Sequence, residues 1–198
     1  RIVDVILASA SPRRKALLGL LWHQFSSLPA DIDESVLPQE LPQTYVSRVA
    51  REKARVCAER TQDHALVLAA DTTISLDDHI VGKPVDYDHA KTILRSLSGR
   101  EHQVLTAVSA RRGELCKDIL VASTVTFTTL SDDLIESYLA TDEPWDKAGA
   151  YAIQGRAGSF VTRIEGSYSA VVGLPLAETR ELLAFFGLAP DWALSIDD

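Results

Sequence analysis

An α/β fold with a mixed β-sheet is the architecture this sequence predicts, and three observations point to it. Strand-like and helix-like patterns alternate along the chain. The all-apolar run Leu66-Val-Leu-Ala-Ala70 has the look of a central strand covered on both faces. Hairpin patterns interrupt the strand–helix alternation, which excludes a purely parallel, doubly wound sheet.

The elements follow in order. Ile2 to Ala8 reads as a buried strand, and Pro12 to about Leu21 as a helix with Ser11 at its N-cap and proline at its first position. A second helix runs from Leu41 to about Arg60. The short strand Leu66–Ala70 is expected to end where Asp71-Thr72-Thr73 begins, and Ile74–Val81 reads as a hairpin turning at Asp77-Asp78. Ala90, Ile93, Leu94 and Leu97 share one helical face, in a helix stopped by Gly99. Two alternating strands follow, His102–Ala110 and Ile119–Thr128. Ser131 caps a helix carrying Leu134, Ile135, Tyr138 and Leu139. After a glycine-rich stretch with strand character, Pro175 opens a last helix with Leu182, Leu183 and Phe186 inward and Gly187 at its end. Residues 1–189 are expected to form one domain and 190–198 a tail.

With 198 residues, 46% apolar and 24% charged, the chain can bury a sizeable core. No apolar run approaches a membrane span, so no membrane role is expected. A formal charge of −8 and a pI near 5.1 argue against broad nucleic-acid binding, which needs a basic footprint. Neither value excludes a small anionic ligand held by a local cationic pocket. Cys57 and Cys116 show no metal spacing and read as reduced thiols in a cytoplasmic protein, and the five histidines read as structural or solvated. Methionine is absent even at position 1, so the chain as read is expected to lack its natural start.

Six stretches can carry chemistry. In Ser9-Ala-Ser-Pro-Arg-Arg14 a capped helix start, with its free N–H groups and dipole, coincides with Ser9, Arg13 and Arg14; that combination favours phosphate, although a capped helix with solvated arginines fits equally. Lys53 lies in the inward stripe of Val46, Val49, Ala50 and Cys57, where a lysine needs a partner, a cleft or a route out to water. Asp71, expected just past a central strand, is placed to bind a metal or take a proton, or simply to close the strand as an Asx-turn. Lys83, in Gly82-Lys-Pro84, is weak alone. The stretch Asp146–Gly155 mixes charges, glycines and Gln154 with little periodicity, the character of a functional loop. Gly173-Leu-Pro175 resembles a second helix-start anion site.

Together these pieces resemble the Maf family of nucleoside triphosphate pyrophosphatases. The matching stretches are Ser9–Arg14, Asp33-Glu34, Arg48–Ala54, Ala70–Thr72, Gly82–Pro84, Ser98-Gly99 with His102 and Thr106, Asp146–Tyr151, Ile153–Gly155 and Gly166–Pro175, in order over about Ile6 to Gly187. Ala10 stands where many relatives have glycine. The resemblance implies a long mixed sheet with flanking helices, two lobes around a deep cleft as in the inosine triphosphatase-like folds, and a homodimer. It implies hydrolysis of a nucleoside triphosphate to the monophosphate and pyrophosphate with a divalent metal ion (Mg, Mn or Co). By the same resemblance Asp71 is the general base and, with Glu34, a metal ligand; Lys53 and Lys83 hold the phosphate chain; Ser9 and Arg14 line the phosphate pocket. Arg13, Thr72 and Gln154 match positions that differ between branches, in the combination of the branch acting on dTTP and UTP. Family members have also been linked to arrest of cell division, so a nucleotide-binding regulator is the alternative. The joint presence of Glu34, Asp71, Lys53 and Lys83 favours the enzyme, because a pure binder has no need of all four.

Overall fold

A computed structural model of the chain describes residues 3–193; Ile2 of the expected first strand and residues 194–198 of the expected tail lie outside them. Seven strands form one sheet: β1 (Val5–Leu7), β2 (Phe25–Ser27), β3 (Leu66–Leu76), β4 (His79–Val81), β5 (Glu101–Arg112), β6 (Leu115–Phe127) and β7 (Val161–Glu165). Their order is β2-β1-β3-β5-β6-β7, with β4 paired to β3. β1 pairs in parallel with β2 and β3, and every other pairing is antiparallel, so the sheet is mixed as the hairpin patterns predict. The helices are α1 (Pro12–Gly19), α2 (Pro42–Glu59), α3 (Tyr87–Leu97), α4 (Asp132–Leu139), α5 (Tyr168–Val172) and α6 (Leu176–Phe185).

Local signals set most boundaries. Ser11 caps α1 through a hydrogen bond from the Arg14 amide, and Ser131 caps α4 through one from the Leu134 amide. Asp77 and Asp78 take φ of 50° and 62°, the left-handed pair that a two-residue hairpin needs for its twist. Other elements depart from the sequence expectation. α1 stops at Gly19, two residues early, and β1 is only three residues long. β5 and β6 continue past the expected ends to a turn at Gly113, because Arg111 to Asp118 pair across the hairpin without an apolar row to announce them. β2 and α5 carry too few residues for any period to show.

The largest departure is β3. It does not end at Ala70 but runs on to Leu76, paired with β5 from Val67 to Ser75. Asp71 therefore sits in the middle of an eleven-residue strand rather than past its end. Backbone pairing tolerates the polar Asp-Thr-Thr segment because β5 supplies its ladder bonds on one side.

Side-chain alternation sorts the core. On one face, Leu66, Leu68, Ala70, Val108 and Ala110 pack with β1, α1 and α6. Further along the same face, Ile74 and Val104 pack with α3, α4, Tyr151 and Phe160. Between these clusters lie the register partners Thr72 and Thr106. That polar pair divides the face into two lobes, the division that the family resemblance implies. The opposite face is covered by α2: Val46 and Ala50 against Leu105 and Ala107, Ala54 and Cys57 against Val67 and Ala69. At the same level one edge of β3 is bare. β1 pairs with it only as far as Leu68 and β4 only from Ile74, leaving residues 69–73 open between them.

Candidate active site

The bare stretch of β3 borders a cavity of about 470 Å³. Both Asp71 and Thr72 reach it although they belong to opposite faces of the sheet, which the missing neighbour strand permits. All nine residues singled out in the sequence line this space: Ser9, Arg13 and Arg14 from the β1–α1 junction, Glu34 from the loop before α2, Lys53 from α2, Asp71 and Thr72 from β3, Lys83 after β4, and Gln154 from the loop after α4. A second cavity of about 610 Å³ adjoins it on the Tyr45 side and shares Glu34, Asp71, Thr72 and Lys83.

Lys53 resolves its anomalous place in an apolar stripe by pairing. Its Nζ lies 3.2 Å from Asp71 Oδ1 and 3.0 Å from Glu34 Oε1. The Lys53 and Asp71 side chains are only 14% and 12% exposed, so this is an ion pair largely out of water, whereas Glu34 at 48% is half in solvent. Burial pushes the Asp71 carboxyl above the usual aspartate range; the attraction of Lys53 and Arg14 opposes that rise without cancelling it. A carboxylate of raised basicity next to a cavity is suited to accept a proton.

Arg14 is fixed at both ends of its guanidinium. Its Nε donates to the Gly173 carbonyl at 2.8 Å and its Nη2 to Thr72 Oγ1 at 3.0 Å. Thr106 Oγ1 donates its one proton to the Ala170 carbonyl at 2.7 Å, so the 2.9 Å contact between the two threonines has Thr72 as donor. The result is a directed chain, Arg14 to Thr72 to Thr106 to Ala170. Burial lowers the Arg14 pKa and neighbouring Arg13 adds to the effect, while Asp71 and Glu34 oppose it; guanidinium stays charged under either influence. The Gly173-Leu-Pro175 stretch is not an anion site: it turns a carbonyl toward Arg14, and Ser169 Oγ already takes the Leu176 amide.

The far wall is a loop, residues 140–160, of which only Asp146–Gly155 carries a functional signature in the sequence. Ala148–Ala150 and Arg156–Phe160 are single 3₁₀ turns. Gly149 takes φ 74°, and a Cβ there would run into Ile74 Cδ1. Tyr151 lines the cavity and its hydroxyl meets His102 Nε2 at 2.6 Å within a cluster of edge-to-face rings that includes Phe127. Burial drives His102 down to about 4, so it is neutral at physiological pH. Glu143, which no sequence pattern marked, accepts hydrogen bonds from the Tyr138 hydroxyl and from the amides of Arg156 and Ala157. Lys147 and Asp146 add one further charge of each sign to the lining.

No three histidine, cysteine or acidic side chains converge as a self-contained metal site among the described residues. Asp71 and Glu34 nevertheless fit the way magnesium-type ions are usually held beside phosphates, by one or two carboxylates with water and phosphate oxygens completing the shell. Both are bridged through Lys53, which engages one oxygen of each and leaves the other.

The Maf-like protein family model matches residues 4–186. Among curated relatives, the dTTP/UTP pyrophosphatase of Pseudoalteromonas atlantica is 50% identical over 188 residues, covering 93% of this chain and 98% of that protein. The protein of the same name from Hahella chejuensis is 52% identical over 186 residues, covering 93% and 92%. That of Escherichia coli K12 is 50% identical over 185 residues, covering 93% and 94%. Of solved structures, the Ham1 protein of Staphylococcus aureus aligns with a TM-score of 0.40 at 12% identity over 65% of this chain and 72% of that one. With a family model spanning nearly all the described residues and relatives half identical over nearly their full length, this chain belongs to the Maf family.

Proposed function

We propose that this chain is a dTTP/UTP pyrophosphatase, hydrolysing the nucleoside triphosphate to the monophosphate and pyrophosphate. The observation that carries the reading is the charge of the cavity. Five cationic side chains (Arg13, Arg14, Lys53, Lys83, Lys147) face three carboxylates (Glu34, Asp71, Asp146) in a chain whose formal charge is −8. A locally positive cavity on an acidic molecule is what a polyanion needs. The name shared by relatives half identical to this chain supports the same substrates.

In this reading Lys83 and Arg14 hold the phosphate chain, and Ser9 adds its hydroxyl. Asp71 takes the proton of the attacking water. A bond forms between the water oxygen and the α-phosphorus, the bond to the bridging oxygen breaks, and pyrophosphate leaves with the electron pair. Lys53 opposes the rise that burial imposes on the Asp71 carboxyl and stabilises charge that develops on the phosphoryl oxygens. Asp71 and Glu34 would hold a divalent ion (Mg, Mn or Co), which when bound supplies charge neutralisation of the triphosphate.

Base choice falls to Gln154, with Arg13 and Thr72 lining the same cavity. The Gln154 amide offers one acceptor and one donor group, a match for the O4 and N3–H edge that uracil and thymine share. Cytosine presents the reverse pattern and pairs only if the amide turns over. The Thr72 hydroxyl is committed to Arg14 and Thr106, so its contribution to base choice is its size and its support of Arg14. The test is pyrophosphate release from dTTP, UTP, CTP, dCTP, GTP, ATP and 7-methyl-GTP at one metal concentration. dTTP and UTP should lead in kcat/KM by at least about tenfold, equivalent to ~1.4 kcal/mol of discrimination. A purine at the head of the panel refutes the base assignment.

A further inference from the structure

The loop that carries Gln154 has no regular element to hold it, yet it is anchored at one point with unusual density. The Glu143 carboxylate receives the Arg156 amide at 2.8 Å on Oε1, and the Ala157 amide at 3.1 Å and the Tyr138 hydroxyl at 2.5 Å on Oε2. Tyr138 belongs to α4, so the carboxylate ties the two residues after Gln154-Gly155 to a helix of the lobe core. Upstream, the Gly155 amide closes a turn onto the Ala152 carbonyl at 3.2 Å, and Gln154 stands inside that turn. Glu143 is itself held from the other side: Lys147 Nζ reaches its carbonyl and its amide reaches Thr141 Oγ1. Gly155 lies so close that a Cβ there would fall onto the Glu143 carboxylate, although its φ is extended and carries no strain of its own. The glycine is therefore demanded by the glutamate rather than by the turn.

We propose that Glu143 is a positioning residue for base choice: by clasping the amides of Arg156 and Ala157 against α4 it fixes the turn that presents Gln154 to the nucleobase. A side-chain amide discriminates uracil from cytosine only while its oxygen and nitrogen are held in one place and one orientation. A displacement of an ångström at such a group is enough to cost an order of magnitude or more in a positioned interaction. The clasp supplies that placement where no ladder or helix does. The inference rests on the reading that Gln154 faces the base.

The test compares kcat and KM for UTP and CTP on the purified full chain, at one fixed divalent-metal concentration, for the wild type, Gln154→Ala, Glu143→Ala, Glu143→Gln, Gly155→Ala and the double variant Glu143→Ala/Gly155→Ala. Glu143→Ala should raise KM for UTP by about fivefold or more and cut the UTP:CTP ratio of kcat/KM at least about threefold, with kcat altered less than KM. Gly155→Ala should do the same by pushing the carboxylate aside. The double variant should be no worse than Glu143→Ala alone, because the clash disappears with the carboxylate. If Glu143→Ala fails to fold, Glu143→Gln and Gly155→Ala decide the matter. A UTP:CTP ratio unchanged in the Glu143 and Gly155 variants, with Gln154→Ala flattening it, overturns the clasp and leaves the base reading intact. A ratio unchanged in Gln154→Ala overturns both.

Discussion

On one side of the cavity Asp71, Lys53 and Arg14 stand on a strand and two helices, cross-linked by the Lys53–Asp71 pair and by the chain from Arg14 to Ala170. On the other side Gln154 and Tyr151 stand on a loop of 3₁₀ turns, kept in place by Glu143, by the close approach of Gly149 to Ile74 and by the His102–Tyr151 contact. Asp71, Lys53 and Arg14 sit on a strand and helices whose backbone hydrogen bonds dictate their position. Gln154, proposed to read the base edge with Arg13 and Thr72 contributing from the first wall, sits where individual side-chain hydrogen bonds must do the same work. Rate and selectivity should therefore respond separately to damage on the two walls.

The largest separation is expected at Asp71. Asp71→Asn should lower kcat by about 10²–10⁴-fold, the usual worth of a general base. Its stability should hold or rise at neutral pH. The sign follows from the direction of the shift: an acid whose folded pKa lies above its unfolded value disfavours the folded state once pH exceeds the unfolded value, so removing the charge removes that cost. Thermal melting at pH 8 and pH 5 checks it; a variant that keeps its rate, or unfolds at neutral pH, contradicts the assignment.

Lys53 sharpens the same wall. The residue's place in an apolar stripe invites the expectation that Met would be harmless to stability, but the ion pair makes the opposite outcome the expected one. Lys53→Met should cost up to about 3 kcal/mol at neutral pH by leaving Asp71 buried without its nearest cation. It should also move the acid limb of kcat/KM to higher pH, since the Asp71 carboxyl rises further. Combining it with Asp71→Asn should restore much of the lost stability, which a double-mutant cycle by chemical denaturation measures.

A third prediction concerns Thr106, which touches no ligand. Thr106→Val should lower kcat/KM by about tenfold through a loosened Arg14, and Thr106→Ser should return most of it because the chain of hydroxyls survives. Equal losses in both variants would show that the methyl group, not the hydroxyl, is what matters.

The last prediction belongs to the loop wall and concerns stability, not rate. His102 is held neutral with a pKa near 4 against an ordinary 6.5. Its folded value is depressed, so the stability it contributes is fully present above pH 6.5 and is lost as pH falls toward 4. Wild-type unfolding free energy should decline across that window by about 3 kcal/mol more than that of His102→Gln, the linkage value of such a shift. Parallel curves for the two proteins would refute the burial of a neutral imidazole.

The contrast between the walls also governs what the sequence made legible. Lys53 was conspicuous because helical periodicity put it among Val46, Ala50 and Cys57. Ser9–Arg14 was conspicuous because cap chemistry is local. The apolar run puts Asp71 at a strand end because such a run is a one-dimensional sign of burial, whereas β3 continues through pairing with β5, which no local pattern records. The family match marks Thr106 but not its role, and nothing marks Glu143, for the same reason: the partners of Thr106 lie 34 and 64 residues away, and the amides bound by Glu143 lie 13 and 14 residues away across an aperiodic loop. The family resemblance implies the two lobes, but the place of their boundary shows only in the register, where Thr72 and Thr106 stand opposite one another between the apolar pairs Ala70–Val108 and Ile74–Val104.

The most direct test of the central claim is the fate of water oxygen. UTP hydrolysed by the wild-type chain in ¹⁸O-labelled water, with products resolved by mass spectrometry, should give UMP carrying the label and unlabelled pyrophosphate, and Asp71→Asn should give neither at a comparable rate. Label in pyrophosphate, or release of inorganic phosphate in place of pyrophosphate, would contradict attack at the α-phosphorus and with it the assignment of this cavity.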